Sequence, residues 1–495
     1  MRTVYSNPWV LCLAIAAIYL AFPTKVYYWD GITFAQAIED APGPNVSLAH
    51  PNHLVYSYAG YFFYRLLRTL GAELRAITAL QILSSVFSAA SAAMLFAILR
   101  DTVRTVYLPV CMTLLFACSA TWWKFSTDAN AYVPSVFFLL VCFYLVLPDR
   151  KPRPLLLAFV FFVAMCFHQL AVVAYPVFAL GVYLQDGSLT IKRRAVTAIM
   201  FSAVAFVLIV AVYALVFYLA TGSFELASFW RWTTSFSPDA ETGFNFWSNL
   251  GYSLRGQVRL FFGGRFNLLR GLMNPGVVLL LVALVVAVVL LVAAVLRNLP
   301  SLKDRLGRAR LLPRQKTVLL LALVWALCYL VFLFFWLPQN TFYRVVYLPA
   351  LVLLVSLALA ALPPIGSRRT YVVALFVAAV SLANFLFLIY PFSHAKKFPP
   401  LEFALQLSGE WPAGTVVYYG ATNSDASLVR YFNPQSEWRA LTEHPGSGSW
   451  LDTTAIDRLS ATPQGAQWLR EHTQPDSLRE LNTGAYRIRF VQLKF

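Results

Sequence analysis

Charge is scarce in this chain, and its scarcity excludes most soluble folds. Of the 495 residues, 12% are Asp, Glu, Lys or Arg, about half of the roughly 25% that soluble globular proteins carry. So few charges cannot cover the surface of a water-soluble protein of this length. Disorder is excluded as well, because 59% of the residues are hydrophobic, with 40 Phe, 25 Tyr and 13 Trp to bury. The composition therefore predicts a multi-pass membrane protein.

The sequence also lacks the signatures of cofactor, nucleotide and metal sites. All six cysteines fall within apolar stretches and none follows Cys328, which is typical of buried small hydrophobic residues rather than of disulfides or metal ligands. No CxxC pair, Walker loop or dinucleotide fingerprint is present. We therefore expect no cofactor and no metal ion.

Eleven apolar stretches predict membrane spans. A helix needs about 20 apolar residues to cross the hydrocarbon core, and most of the stretches reach or approach that length. Two shorter ones meet at His168-Gln169 and are predicted as a pair of half-length spans. The predicted spans are Trp9–Val26, 76–99, 106–122, 131–147, 155–167, 169–184, Ala195–Ala220, Pro275–Leu296, Thr317–Trp336, Val345–Leu362 and Thr370–Pro391.

The net charge of +17 predicts the orientation of these spans. Cytoplasmic loops carry the Lys/Arg excess, and one assignment places every basic cluster inside. The inner segments then carry +14, the outer loops +3 and residues 392–495 zero. The N-terminus lies inside, the C-terminus outside, and Leu54–Leu70 must lie along the outer interface. Since the charge reports orientation, we expect no nucleic-acid partner. The clusters are Arg100/Arg104, Arg150/Lys151/Arg153, Lys192/Arg193/Arg194, Arg297–Lys316 and Arg368/Arg369.

The chain divides into a membrane domain, residues 1–391, and an extracytoplasmic tail, residues 392–495. The tail has strand-like runs at Thr415–Tyr419 and Tyr486–Leu493, a turn-rich stretch at His444–Ser449 and a helical stretch around Gly465–His472, which predict a small α+β domain. Two outer segments of the membrane domain stand out. The first outer loop covers 27–75. A half-apolar, half-basic loop covers 221–274 and could form an interfacial lid through Arg255, Arg259 and Arg265.

Asp30 is the first candidate for chemistry. It follows the first span at the level where Tyr and Trp mark the interface, and precedes a short amphipathic helix, Ile32–Asp40. A carboxylate between low and high dielectric could act as a general base. It could equally be the N-cap of that helix, since Asp is a favoured cap. The residues alone leave both interpretations open.

Further polar residues collect on the predicted outer face. His50 and His53 could donate hydrogen bonds to a phosphate, or could be solvated loop residues. Lys124 and Asp128 could be a local ion pair. His168 interrupts an apolar run, and ionisable groups at membrane depth are often functional, although a satisfied core histidine fits too. Arg344 suits bidentate phosphate binding, but snorkelling at a helix end also explains it.

Taken in order, these pieces resemble the GT-C superfold of integral-membrane glycosyltransferases, and most closely its bacterial branch similar to protein O-mannosyltransferases. The matching motifs are Trp29-Asp30-Gly31, the His-Pro motif from His50 to Tyr56, Asn130-Ala131-Tyr132, Phe167-His168-Gln169 and the turn from Tyr343 to Pro349. Two positions depart from the family pattern. Asn130 stands where the family usually has Glu, so that Asp128 could take that role, and Asn52-His53 replaces the usual Pro-Gly.

The resemblance implies the fold and the activity. It implies an all-α polytopic GT-C-type protein in a bacterial inner or plasma membrane. The enzyme would transfer a sugar from a polyprenyl-phosphate carrier to a glycan, lipid or protein acceptor on the outer face, with inversion. Asp30 would be the base, His50, His53 and Arg344 would bind the lipid phosphate, and Lys124, Asp128, Asn130, Tyr132 and His168 would shape the substrate pocket. A lipid or oligosaccharide transporter, or a polymerase or ligase of lipid-linked glycans, remains the alternative.

Overall fold

The computed structural model describes most of the chain. It covers residues 7–103, 107–148, 150–185, 190–234, 244–298, 310–362, 366–407, 411–420, 424–441, 445–482 and 487–494. Some features named above lie outside the described residues: Arg104, His444, Tyr486, the stretch 299–309 of the fourth basic cluster and 235–243 of the loop 221–274.

The membrane domain is built almost wholly from helices. Short 3₁₀ turns at Val46–Leu48, Pro51–His53, Gln169–Ala174, Phe266–Leu269 and Phe342–Val346 connect several of them. The helices are α1 (Pro8–Ala21), α2 (Trp29–Asp40), α3 (Tyr56–Thr69), α4 (Ala76–Val103), α5 (Tyr107–Ala117), α6 (Ala120–Ser126), α7 (Tyr132–Leu145), α8 (Pro154–Phe167), α9 (Tyr175–Leu184), α10 (Ile191–Thr221), α11 (Leu226–Thr234), α12 (Phe246–Phe261), α13 (Pro275–Asn298), α14 (Pro313–Phe335), α15 (Leu348–Ala361) and α16 (Gly366–Asn384, continued by a π-helical turn, Phe385–Ile389, and Tyr390–Phe392).

Several of these helices are long and apolar enough to cross a membrane. Within the described ranges five qualify, namely α4, α10, α13, α14 and Tyr371–Phe392, or six if α5 and α6 count as one bent span. Five shorter apolar helices of 10–17 residues accompany them. On α13, Leu279, Val282 and Val289 are more than half exposed, which suits contact with lipid rather than water. The chain is an integral membrane protein, and the count of eleven spans stays a prediction.

Helix α4 lies at the centre of the membrane domain. It packs against α1, α3, α5 and α7, and its small side chains allow these close approaches. Its buried face carries polar residues, among them Gln81, Ser85 and Ser88. Since a buried polar group is costly without a partner, these side chains bond to the loop that follows α6, as described below.

Two breaks interrupt the apolar helices. The stretch 106–122, predicted as one straight span, is bent by 68° between α5 and α6, because Ser119 takes an extended conformation and its hydroxyl donates to the carbonyl of Phe116. The predicted break at His168 is confirmed: α8 ends at Phe167, His168 is extended, and a 3₁₀ turn leads into α9.

The described residues group into two compact units. One comprises Met1–Pro23 and Ala37–Pro391, and the other comprises Thr24–Gln36 and Phe392–Phe495. In the second unit, the backbone N–H of Lys25 donates to the carbonyl of Phe392 at 2.6 Å, and the ring of Tyr27 stacks on that of Phe432 at 6.1 Å. The segment at the start of the first outer loop is therefore held by the C-terminal part of the chain.

The rest of the second unit is a small mixed α+β fold, as predicted. Its elements are α17 (Pro399–Leu407), β1 (Val416–Tyr419), α18 (Ser424–Phe432), β2 (Glu437–Ala440), β3 (Trp450–Asp452), α19 (Thr453–Ser460), α20 (Pro463–His472), β4 (Arg479–Asn482) and β5 (Arg487–Gln492). The strand order is β2-β1-β3-β5-β4, with β1 parallel to β2 and β3, and β5 antiparallel to β3 and β4. Leu451, Ala455 and Leu469 lie in its core.

Candidate active site

Three histidines and two tyrosines from four separate segments meet in what we call the ring cluster: His50, His53, Tyr132, His168 and Tyr343. The rings of His50 and His53 stack at 5.2 Å, and that of His53 lies 4.8 Å from His168. Tyr132 packs on His168 at 4.3 Å and faces Tyr343 at 5.6 Å. The His-Pro motif, the Phe-His-Gln turn and the two tyrosine motifs thus form one site.

Local hydrogen bonds orient two of the imidazoles. Nδ1 of His50 accepts the backbone N–H of Asn52 at 3.2 Å, and Nδ1 of His168 accepts that of Leu170 at 3.0 Å. Each histidine therefore caps the 3₁₀ turn that follows it. In a neutral ring whose Nδ1 accepts, the proton sits on Nε2. Both rings consequently present Nε2–H as a donor.

Neighbouring helices fix the backbone around these histidines. The hydroxyl of Tyr213, on α10, donates to the carbonyl of Pro51 at 2.9 Å. The hydroxyl of Tyr329, on α14, donates to the carbonyl of Leu170 at 2.9 Å. The N–H of Val55 donates to the carbonyl of Cys166 at 3.1 Å, which joins the His-Pro motif to the end of α8.

Burial keeps the loop histidines neutral. His53 is 6% exposed, and desolvation, followed by the charges of His168 and His50, holds the pKa of His53 well below its ordinary value. Desolvation also lowers the pKa of His50. Removing an imidazolium from water penalises its charged form, so at neutral pH the free site carries polar donors rather than positive charge.

The turn between α6 and α7 leads directly into Tyr132 and so helps to position the ring cluster. Gln81 donates to the carbonyl of Thr127 at 3.0 Å, and Ser85 to that of Ser126 at 2.9 Å. Asp128 is fully buried and accepts the N–H of Ala129 at 2.9 Å. The charge of Asp128 acts on Lys124. Their charges therefore interact, and the local ion pair considered from the sequence stays a prediction.

Asn130 is committed to the backbone of the same turn. Its Nδ2 donates to the carbonyl of Phe125 at 2.6 Å, and its Oδ1 accepts the N–H of Val133 at 3.2 Å. Asn130 therefore closes the loop before α7 and gives a backbone N–H in the first turn of that helix an acceptor. These bonds use both ends of the amide, and they give a structural reason for Asn at position 130.

Arg344 follows Tyr343 directly, but its guanidinium bonds to groups outside the ring cluster. It is 0% exposed. Its Nη1 donates to the hydroxyl of Tyr347 at 2.9 Å and its Nη2 to the carbonyl of Pro338 at 2.7 Å. Helix α12 covers it at Gly256, where a Cβ would lie 2.7 Å from Cζ. We call Arg344, Tyr347 and Gly256 the arginine network.

A groove opens beside the ring cluster, with a volume of about 670 Å³. Asn52, His168 and Tyr343 line one part of it. Its other walls are largely apolar: Leu170, Val172, Val173, Val331, Phe332, Phe335 and Trp336, with Gln169, Thr233 and Thr234 between them. Such a lining suits a ligand with a polar head and a hydrocarbon chain.

The predicted lid arginines lie outside the ring cluster. Arg255 and Arg259 are exposed on α12, and Arg265 is exposed just beyond it. The segment itself is firmly anchored: Asn249 donates to the carbonyl of Phe334 at 2.8 Å, and Asn384 donates to that of Phe261 at 2.7 Å.

Asp30 lies within the second unit, on the first turn of α2. The helix begins at Trp29 and not at Ile32. The interpretation of Asp30 as the residue preceding the helix is therefore wrong. A carboxylate in a first turn is favoured by the helix dipole, yet desolvation dominates and raises the pKa of Asp30 to about 7. A carboxyl with a pKa in this range suits a general base that works near neutral pH.

Comparison with solved structures identifies the fold of the chain. Neither a protein-family model nor a curated protein matches the chain. ArnT of Cupriavidus metallidurans bound to undecaprenyl phosphate superposes with a TM-score of 0.61 at 11% identity, over 98% of this chain and 97% of that one. Its apo state gives 0.59 at 12% identity, over 98% and 96%. The fold is of the GT-C type.

Within this GT-C fold, the branch similar to protein O-mannosyltransferases is not confirmed and stays a prediction. Sequence reasoning missed the supports of the site, namely Gln81, Ser85, Tyr213 and Gly256. The runs of serine on α4 were the available signal, because polar residues on an otherwise apolar span need partners. Gly256 gave no signal, since its role depends on a side chain about 90 residues away.

Proposed function

We propose that the chain is a membrane glycosyltransferase that uses a polyprenyl-phosphate-linked sugar as donor. The observation that carries the proposal is the groove, whose walls are apolar and which reaches His168 and Tyr343 of the ring cluster. A polyprenyl chain would lie against the apolar walls of the groove, and its phosphate would lie at the ring cluster. ArnT, which has the same fold, binds undecaprenyl phosphate.

The phosphate would be bound by His50 and His53, with His168 beside them. The Nε2–H groups of His50 and His168 would donate to its oxygens. Arg344 would act without direct contact. Its guanidinium is fully buried and would stabilise the leaving charge through a medium of low dielectric.

Asp30 would be the general base. Its carboxylate would accept the proton of an acceptor hydroxyl as the oxygen attacks the anomeric carbon from the face opposite the phosphate. The bond between that carbon and the phosphate oxygen would break, and its electron pair would leave with polyprenyl phosphate. Attack from the opposite face inverts the anomeric configuration. The C-terminal unit would contribute by holding the segment that carries Asp30.

The remaining predicted residues would shape the substrate pocket. Tyr132 belongs to the ring cluster. Asp128, Asn130 and Lys124 would act by fixing the turn that precedes Tyr132. Arg255, Arg259 and Arg265 would form a basic surface at the predicted outer interface, where anionic donor headgroups arrive. The reaction would take place on the extracytoplasmic face, with a glycan, lipid or protein as acceptor and no divalent metal.

Asp30→Asn tests this function. We expect transfer to fall by about 10²-fold or more, because general-base catalysis contributes roughly 10²–10⁴-fold. The residual activity should lose its pH dependence. In the parent chain, the rate should rise with pH and level off above about 7, where Asp30 is ionised. The measurement is the release of undecaprenyl phosphate from labelled undecaprenyl-phosphate sugars, offered one at a time.

Asp40→Asn, at the exposed end of the same helix, is the matched control and should keep the parent rate. The thermal midpoint separates catalysis from folding. Because burial raises the pKa of Asp30, the stability that its carboxyl contributes is present below about pH 4 and is lost as the pH rises through about 7. Asp30→Asn should therefore not destabilise the chain at pH 7.5. Full transfer by Asp30→Asn would refute the base, and lipid movement without phosphate release would indicate a transporter.

A further inference from the structure

The groove has no permanent cation among the described residues that line it. Its titratable lining residues are His168 and Tyr343. The buried guanidinium of Arg344 bonds to Pro338 and Tyr347 instead. A phosphate placed at the polar part of this groove would therefore meet hydrogen-bond donors first, and any neutralising charge in direct contact with it would have to come from the ring cluster.

The charge at that position changes during the proposed reaction. A polyprenyl-phosphate sugar is a phosphodiester with one negative charge. The product, polyprenyl phosphate, is a monoester whose second ionisation has a pKa near 6, so that at pH 7 it carries close to two. One negative charge is therefore added beside three imidazoles that are neutral in the free site. An adjacent anion favours the protonated imidazole.

We propose that the cluster of His50, His53 and His168 takes up one proton from solvent when a phosphate monoester binds in the groove. This inference rests on the proposed function and names a property of the same site. The phosphate stays a dianion and one imidazole becomes an imidazolium, so a charge pair forms only with the product. Release of the product returns the proton to solvent.

The spacing of the rings limits the uptake to one proton. The centroids of His50 and His53 are 5.2 Å apart, and those of His53 and His168 are 4.8 Å apart. Two imidazoliums at this distance repel each other strongly in a buried site. The three rings therefore titrate as one coupled group, and the first proton prevents the second.

Other titratable groups near the cluster do not change charge in the relevant range. Phenols and buried thiols stay neutral between pH 7 and 8, because burial disfavours their charged forms, and a guanidinium stays charged. Lys124, on the turn beneath, interacts with the charge of Asp128. On the elements packed against the cluster, these groups are Tyr132, Cys166, Tyr213, Arg231, Tyr329 and Tyr343. Between pH 7 and 8, the histidines are therefore the groups that take up the proton.

Calorimetric binding of farnesyl phosphate tests the proposal. The full-length chain in detergent is titrated in buffers of different ionisation enthalpy, and the dependence of the heat on the buffer gives the protons taken up. All chains carry Asp30→Asn, because the pKa of Asp30 is about 7 and its own titration would add to the number of protons measured. We expect about one proton per lipid, and a dissociation constant that rises about tenfold from pH 7 to pH 8.

Three controls make the result specific. The methyl diester of farnesyl phosphate, with one charge, should cause little uptake. Combining His50→Gln, His53→Gln and His168→Gln should reduce the uptake for the monoester to less than about a third. His472→Gln, which alters a histidine of the second unit, should leave it unchanged.

Each outcome decides between the two proposals. Binding of farnesyl phosphate without proton uptake would overturn the coupling and leave the glycosyltransferase proposal standing. Undiminished uptake in the triple variant would also overturn it, because the proton would then be bound elsewhere. Failure of the parent chain to bind farnesyl phosphate at any pH would refute the lipid-phosphate donor, and the coupling with it.

Discussion

The ring cluster and the arginine network begin at adjacent residues, Tyr343 and Arg344, yet they handle buried polarity in opposite ways. The ring cluster collects imidazoles that burial keeps neutral, beside an open groove. The arginine network buries a permanent charge completely and bonds it to two neutral oxygens. One region can change its charge when a ligand arrives, whereas the other cannot.

The helix that covers the arginine network explains this difference. Gly256 brings the backbone of α12 directly over the guanidinium, and Gln257 donates to the hydroxyl of Tyr347 at 2.5 Å. Both features shut Arg344 off from the groove. Among the described residues, no helix backbone lies over His168 in this way, and His168 lines the groove. Under the proposed function, the fixed charge of Arg344 serves packing and the local field, and the titratable histidines serve the ligand.

The largest expected effect on stability comes from closing the space at Gly256. Gly256→Ala should destabilise the chain by about 1–3 kcal/mol, because the added methyl meets the guanidinium of Arg344. Gly251→Ala, on the same helix with nothing within 4 Å of its Cβ, should instead stabilise by about 0.5–1 kcal/mol. The measurement is the thermal midpoint in detergent. Equal midpoints for both variants would mean that α12 does not pack on Arg344.

The affinity for lipid should distinguish the roles of the ring cluster and the arginine network. His168→Gln should weaken binding of farnesyl phosphate about tenfold, since one charge-assisted hydrogen bond is worth roughly 1.5 kcal/mol. Arg344→Gln should weaken it about threefold, because its charge acts at a distance. The decisive quantity is the dependence of affinity on pH, which replacing all three histidines should flatten and Arg344→Gln should retain.

A reversal of this order would exchange the roles of the two regions. If Arg344→Gln abolished binding while His168→Gln kept it, helix α12 would have to move aside when lipid binds. The guanidinium would then contact the phosphate directly. The circular dichroism spectrum of each variant, compared with the parent, is the control for folding.

Much of the fold could be predicted from the sequence because the local composition of a stretch is enough to identify it as a membrane span. The 3.6-residue helix needs all its backbone bonds satisfied within lipid, so apolar stretches such as Pro275–Leu296 could be identified directly. The break at His168 was visible for the same reason. The bend at Ser119 was not, because Cys118-Ser119 is apolar enough to continue a helix, and the bend depends on one extended residue.

The candidate site could be predicted only in part, since its motifs indicate which residues belong to it but not where their side chains point. His50, His53, Tyr132 and His168 do come together. The direction of Arg344 depends on Gly256, far along the chain, and no local pattern contains that information. The attachment of Thr24–Gln36 to the C-terminal unit likewise depends on contacts such as Tyr27 with Phe432. Long-range packing of this kind has no signature in a single sequence.

The smallest expected effects come from two tyrosines four residues apart, one in each region. Tyr347→Phe removes the hydroxyl that accepts from Arg344 and Gln257, and should cost about 1 kcal/mol of stability while leaving lipid affinity unchanged. Tyr343→Phe alters the polar lining of the groove and should weaken farnesyl phosphate binding about twofold to threefold without lowering the thermal midpoint. Each variant serves as the control for the other, because the chemical change is identical. If both variants changed stability and neither changed affinity, Tyr343 would belong to the packing of α12 and the polar boundary of the groove would lie at His168.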